Sequence, residues 1–501
     1  MNIIKDDDAD EEESYEMNEA PEEGKRLKIP DFWKGILTVI GAMLVNFAAG
    51  SIFGVLTLVV YQISHIKNEG NNISLDNMTF YYPLESLFQC IFSFVSGYFE
   101  KKIGLHLTNV IGFFFLGSGY LILFFSYNFY IDILSFITIG IGTGILYYPS
   151  TKNACLWFKN HKGIIIGILE TMISLGSFFS SSIGELIINK ENKSSDVDGI
   201  YDQEIEKKFK TFLIIQIIVV FTTFFISFLL MFTKKEKEKT DIIIINELEQ
   251  IEFGSSQDDK TNIISNSKKS IFSKKIVKNI YKKKLATALK SKILILKAII
   301  TVLGLQGPSM IFSLYRTIGE TEKIETKTLR LIGPHNFIFE CLSGIIGGVL
   351  CQFVNINLLL IITNAITTVF ISTYCLTFRF STAFFWSTNL VMFFKGITYP
   401  LDDFYFMKVF GSDIYIELIS YTNFFSCFFM AVFSFFVYLI QRKYDETIDY
   451  WIIFSFFGVL NFISFVLCFF VNSQPFNYEK KIGLISNTIN NQDEDDIKDL
   501  M

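Results

Sequence analysis

Residues 140–167 read GIGTGILYYPSTKNACLWFKNHKGIIIG. Gly140, Gly142 and Gly144 stand in an apolar run that starts at 129 and carries one charge, Asp132, before Lys152. A short polar stretch, Lys159 to Lys162, interrupts it, and a second apolar run extends from 163 to 188. Each run has the roughly 20 residues that cross ~30 Å of hydrocarbon. Lipid gives backbone groups no partner, so runs of this length must be helices. Small residues at close spacing let neighbouring helices approach. The segment is therefore read as two membrane helices joined by a short polar loop.

The same pattern repeats outward in both directions. Twelve apolar stretches are long enough to span: 34–62, 79–99, 107–126, 129–154, 163–188, 211–232, 293–315, 333–353, 357–378, 382–408, 414–440 and 449–472. The composition agrees. Of 501 residues 50% are hydrophobic and 56 are Phe, while 19% are charged, below the ~25% usual in soluble chains. A soluble enzyme, a nucleic-acid binder and a secreted disulfide scaffold are excluded. The expected organisation is an acidic tail (1–33), an N-terminal six-helix bundle (34–232), a basic linker (233–292), a C-terminal six-helix bundle (293–472) and a second tail (473–501). An even number of spans places both tails on one side.

Basic residues orient the chain. Lys25, Arg26, Lys28 and Lys34 precede the first span, Lys101 and Lys102 follow the second, and Lys159 and Lys162 follow the fourth. By the positive-inside rule these ends are cytoplasmic. The sequons at Asn72 and Asn77 fall in the first external loop. The segment 268–292 holds ten Lys and no acid, with Ile276, Ile280, Leu285 and Leu289 at helical spacing. It is expected to lie on anionic lipid of the inner leaflet or to be a solvated linker. The seven cysteines (Cys90, Cys155, Cys341, Cys351, Cys375, Cys427, Cys468) lie in or at the edge of apolar stretches and form no CxxC; they read as small core residues. His65, His106, His161 and His335 are scattered, and no GxxxxGK[ST] run is present. No cofactor, no metal and no enzymatic activity are expected.

The two halves share a signal. Span 4 contains Gly144-Ile-Leu-Tyr147-Tyr148-Pro149 and span 10 contains Gly396-Ile-Thr-Tyr399-Pro400. Spans 1 and 7 each carry an amide beside helix-weakening residues: Asn46 near Gly50, and Gln306 before Gly307 and Pro308. A six-plus-six repeat is the architecture of secondary transporters. The segment from Gly140 to Gly167, with Tyr147, Pro149 and Trp157-Phe158, resembles the major facilitator superfamily in its monocarboxylate and oxalate/formate-like branch. Heavy Phe, Ile, Asn and Lys usage makes it similar to apicomplexan members of that branch described as pantothenate transporters. Gly97-Tyr-Phe-Glu100-Lys101-Lys102-Ile-Gly104 looks like the superfamily's gating loop, with Lys101 where that motif has an acid and the acid displaced to Glu100.

Charges within spans are the candidate site, since each costs at least ~2.5–3.5 kcal/mol to insert. Lys395 lies near the middle of span 10, as the only basic residue expected at mid-membrane. Tyr399 and Asp402 follow on its face. Lys395 would take a substrate carboxylate with Tyr399 as donor, or would pair with Asp402. By the resemblance, Asn46, Tyr147 and Gln306 would join the substrate site between spans 1, 4, 7 and 10. Glu170, Glu85 and Glu340 are expected to carry a coupled proton, because a carboxyl shielded from water can hold one near neutral pH. Asp403, Lys152, Glu185 and Arg316 sit near helix ends and are expected to reach water. The resemblance implies an all-α, monomeric carrier of a small organic anion, monocarboxylate or pantothenate-like, in the plasma membrane, working by alternating access with protons as the coupling ion. The alternative is a transport-inactive receptor or scaffold of an organelle membrane.

Overall fold

The computed structural model describes residues 30–70, 80–190, 201, 203–234, 281–443, 450–471 and 473–476. Both sequons, residues 1–29 and 477–501 of the tails, and 268–280 lie outside them. The described residues are helical throughout, with no strand among them.

The first span is built in two pieces, α1 (Asp31–Leu56) and α2 (Val59–Asn68), with a turn between them. It runs six residues beyond the expected end at 62. Spans 2 to 6 are α3 (Tyr81–Ile103), α4 (Leu105–Phe125), α5 (Phe129–Trp157), α6 (Lys162–Ile188) and α7 (Gln203–Leu230). A linker helix, 281–289, precedes spans 7 to 12: α8 (Lys292–Thr321), α9 (Thr326–Phe353), α10 (Ile356–Thr373), α11 (Ser381–Val409), α12 (Tyr415–Lys443) and α13 (Tyr450–Cys468). Ten of these helices are apolar and long enough to cross a membrane. Besides the 10-residue α2, the exceptions are α3 and α11, which are as long (23 and 29 residues) but carry Glu85, or Lys395, Asp402 and Asp403, along their length. Outward-facing Phe114, Phe225, Phe353 and Phe470 are 64–78% exposed, the surface that lipid tails cover.

The pairing of helices repeats between halves. In the first, α1 packs on α6 and α7, α3 on α5, and α4 on α5 and α7. In the second, α8 packs on α12 and α13, α9 on α11, and α10 on α11 and α13. The most extensive contacts between the halves are α6 with α9 and α3 with α12, and the repeat relates each to the other; α11 also meets α6, and α12 meets α5.

Glycines set the spacing. Gly140 and Gly144, four apart and so on one face, press on the backbone of α3 at Glu85 and Gln89. Gly142 points the other way and meets Gly112 and Leu116 of α4. The alternating pattern is thus two interfaces read through one helix. At the junction of the halves, a Cβ on Gly167 would come within 2.6 Å of the Gly344 carbonyl and of Gly348 Cα.

Gly144→Ala places its methyl against the fixed Gln89 carbonyl and should destabilise the protein by about 1–3 kcal/mol. At Gly112 an alanine meets the Leu146 side chain, which can move, and should cost less. Thermal unfolding midpoints in detergent test the order; equal midpoints would refute the backbone argument.

Candidate functional site

A cavity lies between the halves, with about 1200 Å³ of space between protein atoms, part of it continuous with solvent. α3, α5, α6, α8, α9, α11 and α12 supply most of its wall, and α1 adds Phe53. Toward the end away from the linker aromatic rings of its lining meet one another: Phe53 against Tyr82 (6.2 Å between centroids), Tyr82 against Phe312 (5.3 Å) and Phe312 against Phe337 (6.0 Å).

Lys395 lines this cavity and is 4% exposed. Its ammonium stands over the rings of Phe312 and Tyr399, 5.7 and 5.6 Å from the centroids, with Glu340 in electrostatic reach. Among the described residues it has no hydrogen bond and no ion pair. Asp402, considered above as its partner, is taken by Lys297 of α8 at 2.5 Å. Thr301 donates to the other oxygen of Asp402 at 3.2 Å. Lys297 is 1% exposed, so Lys395 is not the only buried base of the spans. The signal was present: Lys297 stands alone in the apolar run 293–300.

At the linker end of the cavity the Tyr147 hydroxyl lies between two carboxylates, Glu170 of α6 and Asp403 of α11, the latter at 3.2 Å. Asp403 is 2% exposed, which corrects the expectation that it reaches water. Position along the helix misled, because the end of α11 is covered by α12. Lys152 is likewise buried and donates to Glu100 at 3.1 Å, and Glu185 accepts from Tyr61 at 3.0 Å. Asn423 of α12 donates to the Tyr148 hydroxyl across the halves at 2.6 Å.

Tyr147, Tyr399, Lys395, Glu170 and Glu340 therefore share one cavity. Asn46 and Gln306 do not. The Asn46 amide donates to the Leu169 carbonyl and ties α1 to α6; the Gln306 amide donates to Val302 and Ser426 and ties α8 to α12. A buried amide donor needs an acceptor, and here backbone carbonyls supply it, while Asn46 Oδ1 and Gln306 Oε1 accept no hydrogen bond among the described residues. Glu85 sits behind the wall, fully buried, accepting from Thr143 at 3.2 Å and Ser86 at 3.3 Å.

The sequence model described as Major Facilitator Superfamily matches residues 36–434. The chain belongs to this superfamily. Within it, the chain is 26% identical over 89 residues to monocarboxylate transporter 9 of Pongo abelii, covering 18% of each chain. It is 28% identical over 142 residues to the MFS-type transporter opdF of Penicillium oxalicum, covering 28% of this chain and 33% of that one. The chain thus aligns with a third or less of either relative. Among solved structures, the proton:xylose symporter XylE bound to 6-bromo-6-deoxy-D-glucose superposes with a TM-score of 0.61 and 12% identity, covering 91% of this chain and 99% of that one. That likeness is one of fold. The protein is a multi-pass membrane protein of the superfamily.

The segment from Gly97 to Gly104 joins the halves by charge. Gly104 ends α3 with φ +84°, a left-handed conformation suited to glycine. Lys101 reaches Glu417 of α12 at 2.5 Å and Glu100 pairs with Lys152 of α5. The displaced acid thus turns inward to its own half and the lysine outward to the other. A Cβ on Gly97 would meet Ile416 and Glu417, at 3.1 and 3.2 Å. The linker helix docks on the same place: Tyr281 donates to Glu417 and Lys284 pairs with Asp413 at 3.2 Å. Burial, then the Glu417 carboxylate, holds the Tyr281 phenol well above the ordinary tyrosine range, so it stays a donor. Leu285 and Leu289 pack on the core. This part of 268–292 is therefore seated on protein, with Lys282 and Lys283 left exposed.

Lys101→Glu should loosen the linker end, and Lys101→Glu with Glu417→Lys should restore it. Deuterium exchange at 281–289 reads the difference: faster in the single variant and back toward wild type in the double. Equal exchange in all three would show that the pair holds nothing.

Proposed function

We propose that the protein carries a small organic anion across the membrane by alternating access, coupled to protons. The observation that supports this most is Lys395. A buried ammonium with no hydrogen bond or ion pair is costly, and one that faces a cavity between two halves is compensated further when an anion arrives. Tyr399 beside it can donate to the same carboxylate. Ser86, Ser93, Ser174, Ser309, Gln89 and Asn423 line the remaining space and suit a carboxylate bearing hydroxyl or amide groups, pantothenate among them. The name of the monocarboxylate relative supports the same class. Anionic lipid would meet the exposed lysines of the linker.

Proton coupling rests on Tyr147. Its hydroxyl has one proton to donate and two carboxylates to receive it. Two buried carboxylates so close do not both stay ionised, so one of Glu170 and Asp403 holds a proton while the linker end is closed. Opening that end separates α6 from α11, parts the two acids and releases the proton.

Purified protein in liposomes should take up members of a panel of labelled carboxylates, faster with an inward proton gradient; uptake of none would defeat the reading. Lys395→Met keeps the stem and removes the charge. Apparent affinity should fall at least about thirtyfold, from about 2 kcal/mol or more of lost charge contact, with yield and melting unchanged. Unchanged affinity would remove Lys395 from the site. Glu170→Gln mimics the protonated acid. Downhill exchange should persist while gradient-driven accumulation disappears. Loss of both would make Glu170 structural, and persistence of both would make it a bystander.

A further inference from the structure

Cys90 of α3 and Cys427 of α12 stand with their sulfurs 3.2 Å apart. These helices belong to opposite halves. Both cysteines line the cavity, whereas the other five, Cys155, Cys341, Cys351, Cys375 and Cys468, do not. We propose that this pair is an oxidisable dithiol site whose closure to a disulfide locks the two halves together. Its co-reactant is a small two-electron oxidant, a peroxide that enters the cavity.

The geometry is favourable. A disulfide needs about 2.05 Å between sulfurs, so an approach of about 1 Å suffices. Both sulfurs border the cavity that the peroxide enters, and the thiolate is the form that reacts. That thiolate attacks one oxygen of hydrogen peroxide. A sulfur–oxygen bond forms, the oxygen–oxygen bond breaks, and the departing hydroxide takes a proton to become water. The second sulfur then attacks the sulfenic sulfur. The sulfur–sulfur bond forms, the sulfur–oxygen bond breaks, and hydroxide leaves with the second thiol's proton as another water. Two sulfurs lose one electron each and the peroxide gains both.

The consequence is mechanical. α3 with α12 is one of the two most extensive contacts between the halves, and the same helix pair carries Lys101 and Glu417 at the linker end. A covalent link between them prevents that end from opening until a dithiol reductant attacks it. The lock rests on the alternating-access reading above; the dithiol site does not.

The test uses the full chain in liposomes with a protease site inserted in the linker, within 235–280. After hydrogen peroxide and cleavage, the wild-type halves should migrate as one species on a non-reducing gel and separate after dithiothreitol. In Cys90→Ser and in Cys427→Ser they should separate without it. Wild-type halves that separate after peroxide, or halves that stay joined in Cys90→Ser, overturn the site. Deuterium exchange of α3 and α12 tests the lock with no substrate needed: slower after peroxide, restored by dithiothreitol, indifferent to peroxide in Cys90→Ser. A crosslink that leaves exchange unchanged overturns the lock. A protein that carries no carboxylate of the panel yet forms the link retires the proposed function and keeps the site.

Discussion

α5 can lie against α3 and α4 only because Gly140, Gly142 and Gly144 have no side chains to hold them apart. In lipid, helices gain little from burying apolar surface against one another, and close van der Waals contact takes its place. That contact positions the rest of the N-terminal half. It brings Tyr147 and Tyr148, one turn further along α5, into the cavity. It also sets the Glu85 backbone against α5, behind the wall. At the junction of the halves, Gly163 and Gly167 against Gly344 and Gly348 bring α6 and α9 close in the same way. Interfaces of this kind rely on shape without locking chemistry, which suits surfaces that must part and rejoin.

Charge placement follows from the low dielectric inside the bundle. A buried charge needs a partner, and most here have one within their own half: Lys297 with Asp402, Lys152 with Glu100. Those pairs stabilise a half and leave nothing for a solute. The charges that differ are the ones between halves. Lys395 faces open space, and Glu170 and Asp403 share one hydroxyl. Lys101 and Glu417 close the linker end, with Tyr281 donating to the same carboxylate. A conformational change that separates the halves alters all of these and leaves the internal pairs alone.

Much of this was legible along the chain. Apolar length and the backbone's need for internal partners determined a helical membrane protein, and the Tyr-Pro echo between 147–149 and 399–400 pointed to the repeat that the helix pairings display. Lys395, Glu170 and Tyr147 stood out because a polar group in an apolar run is costly wherever it lies. The departures from the sequence reading share a cause. Asn46 and Gln306 read as substrate groups because they too are polar groups in apolar runs, yet both lie outside the cavity lining, and period and depth do not say which neighbouring carbonyl an amide will find. Asp403 was assigned to water from its distance to a helix end, which ignores a second helix lying over it.

The sequence by itself determined what each helix must be, since lipid leaves the backbone one choice. Only the tertiary structure decided which charges meet. Lys395 and Asp402 are seven residues apart on one face of α11, yet Asp402 bonds to Lys297, 105 positions away. Cys90 and Cys427 are separated by 337 positions and stand side by side. Helical periodicity fixes the direction of a side chain relative to its own axis. The identity of the atom it meets depends on how far the next axis lies and how it is turned, and the glycines and partners that set those distances belong to other helices.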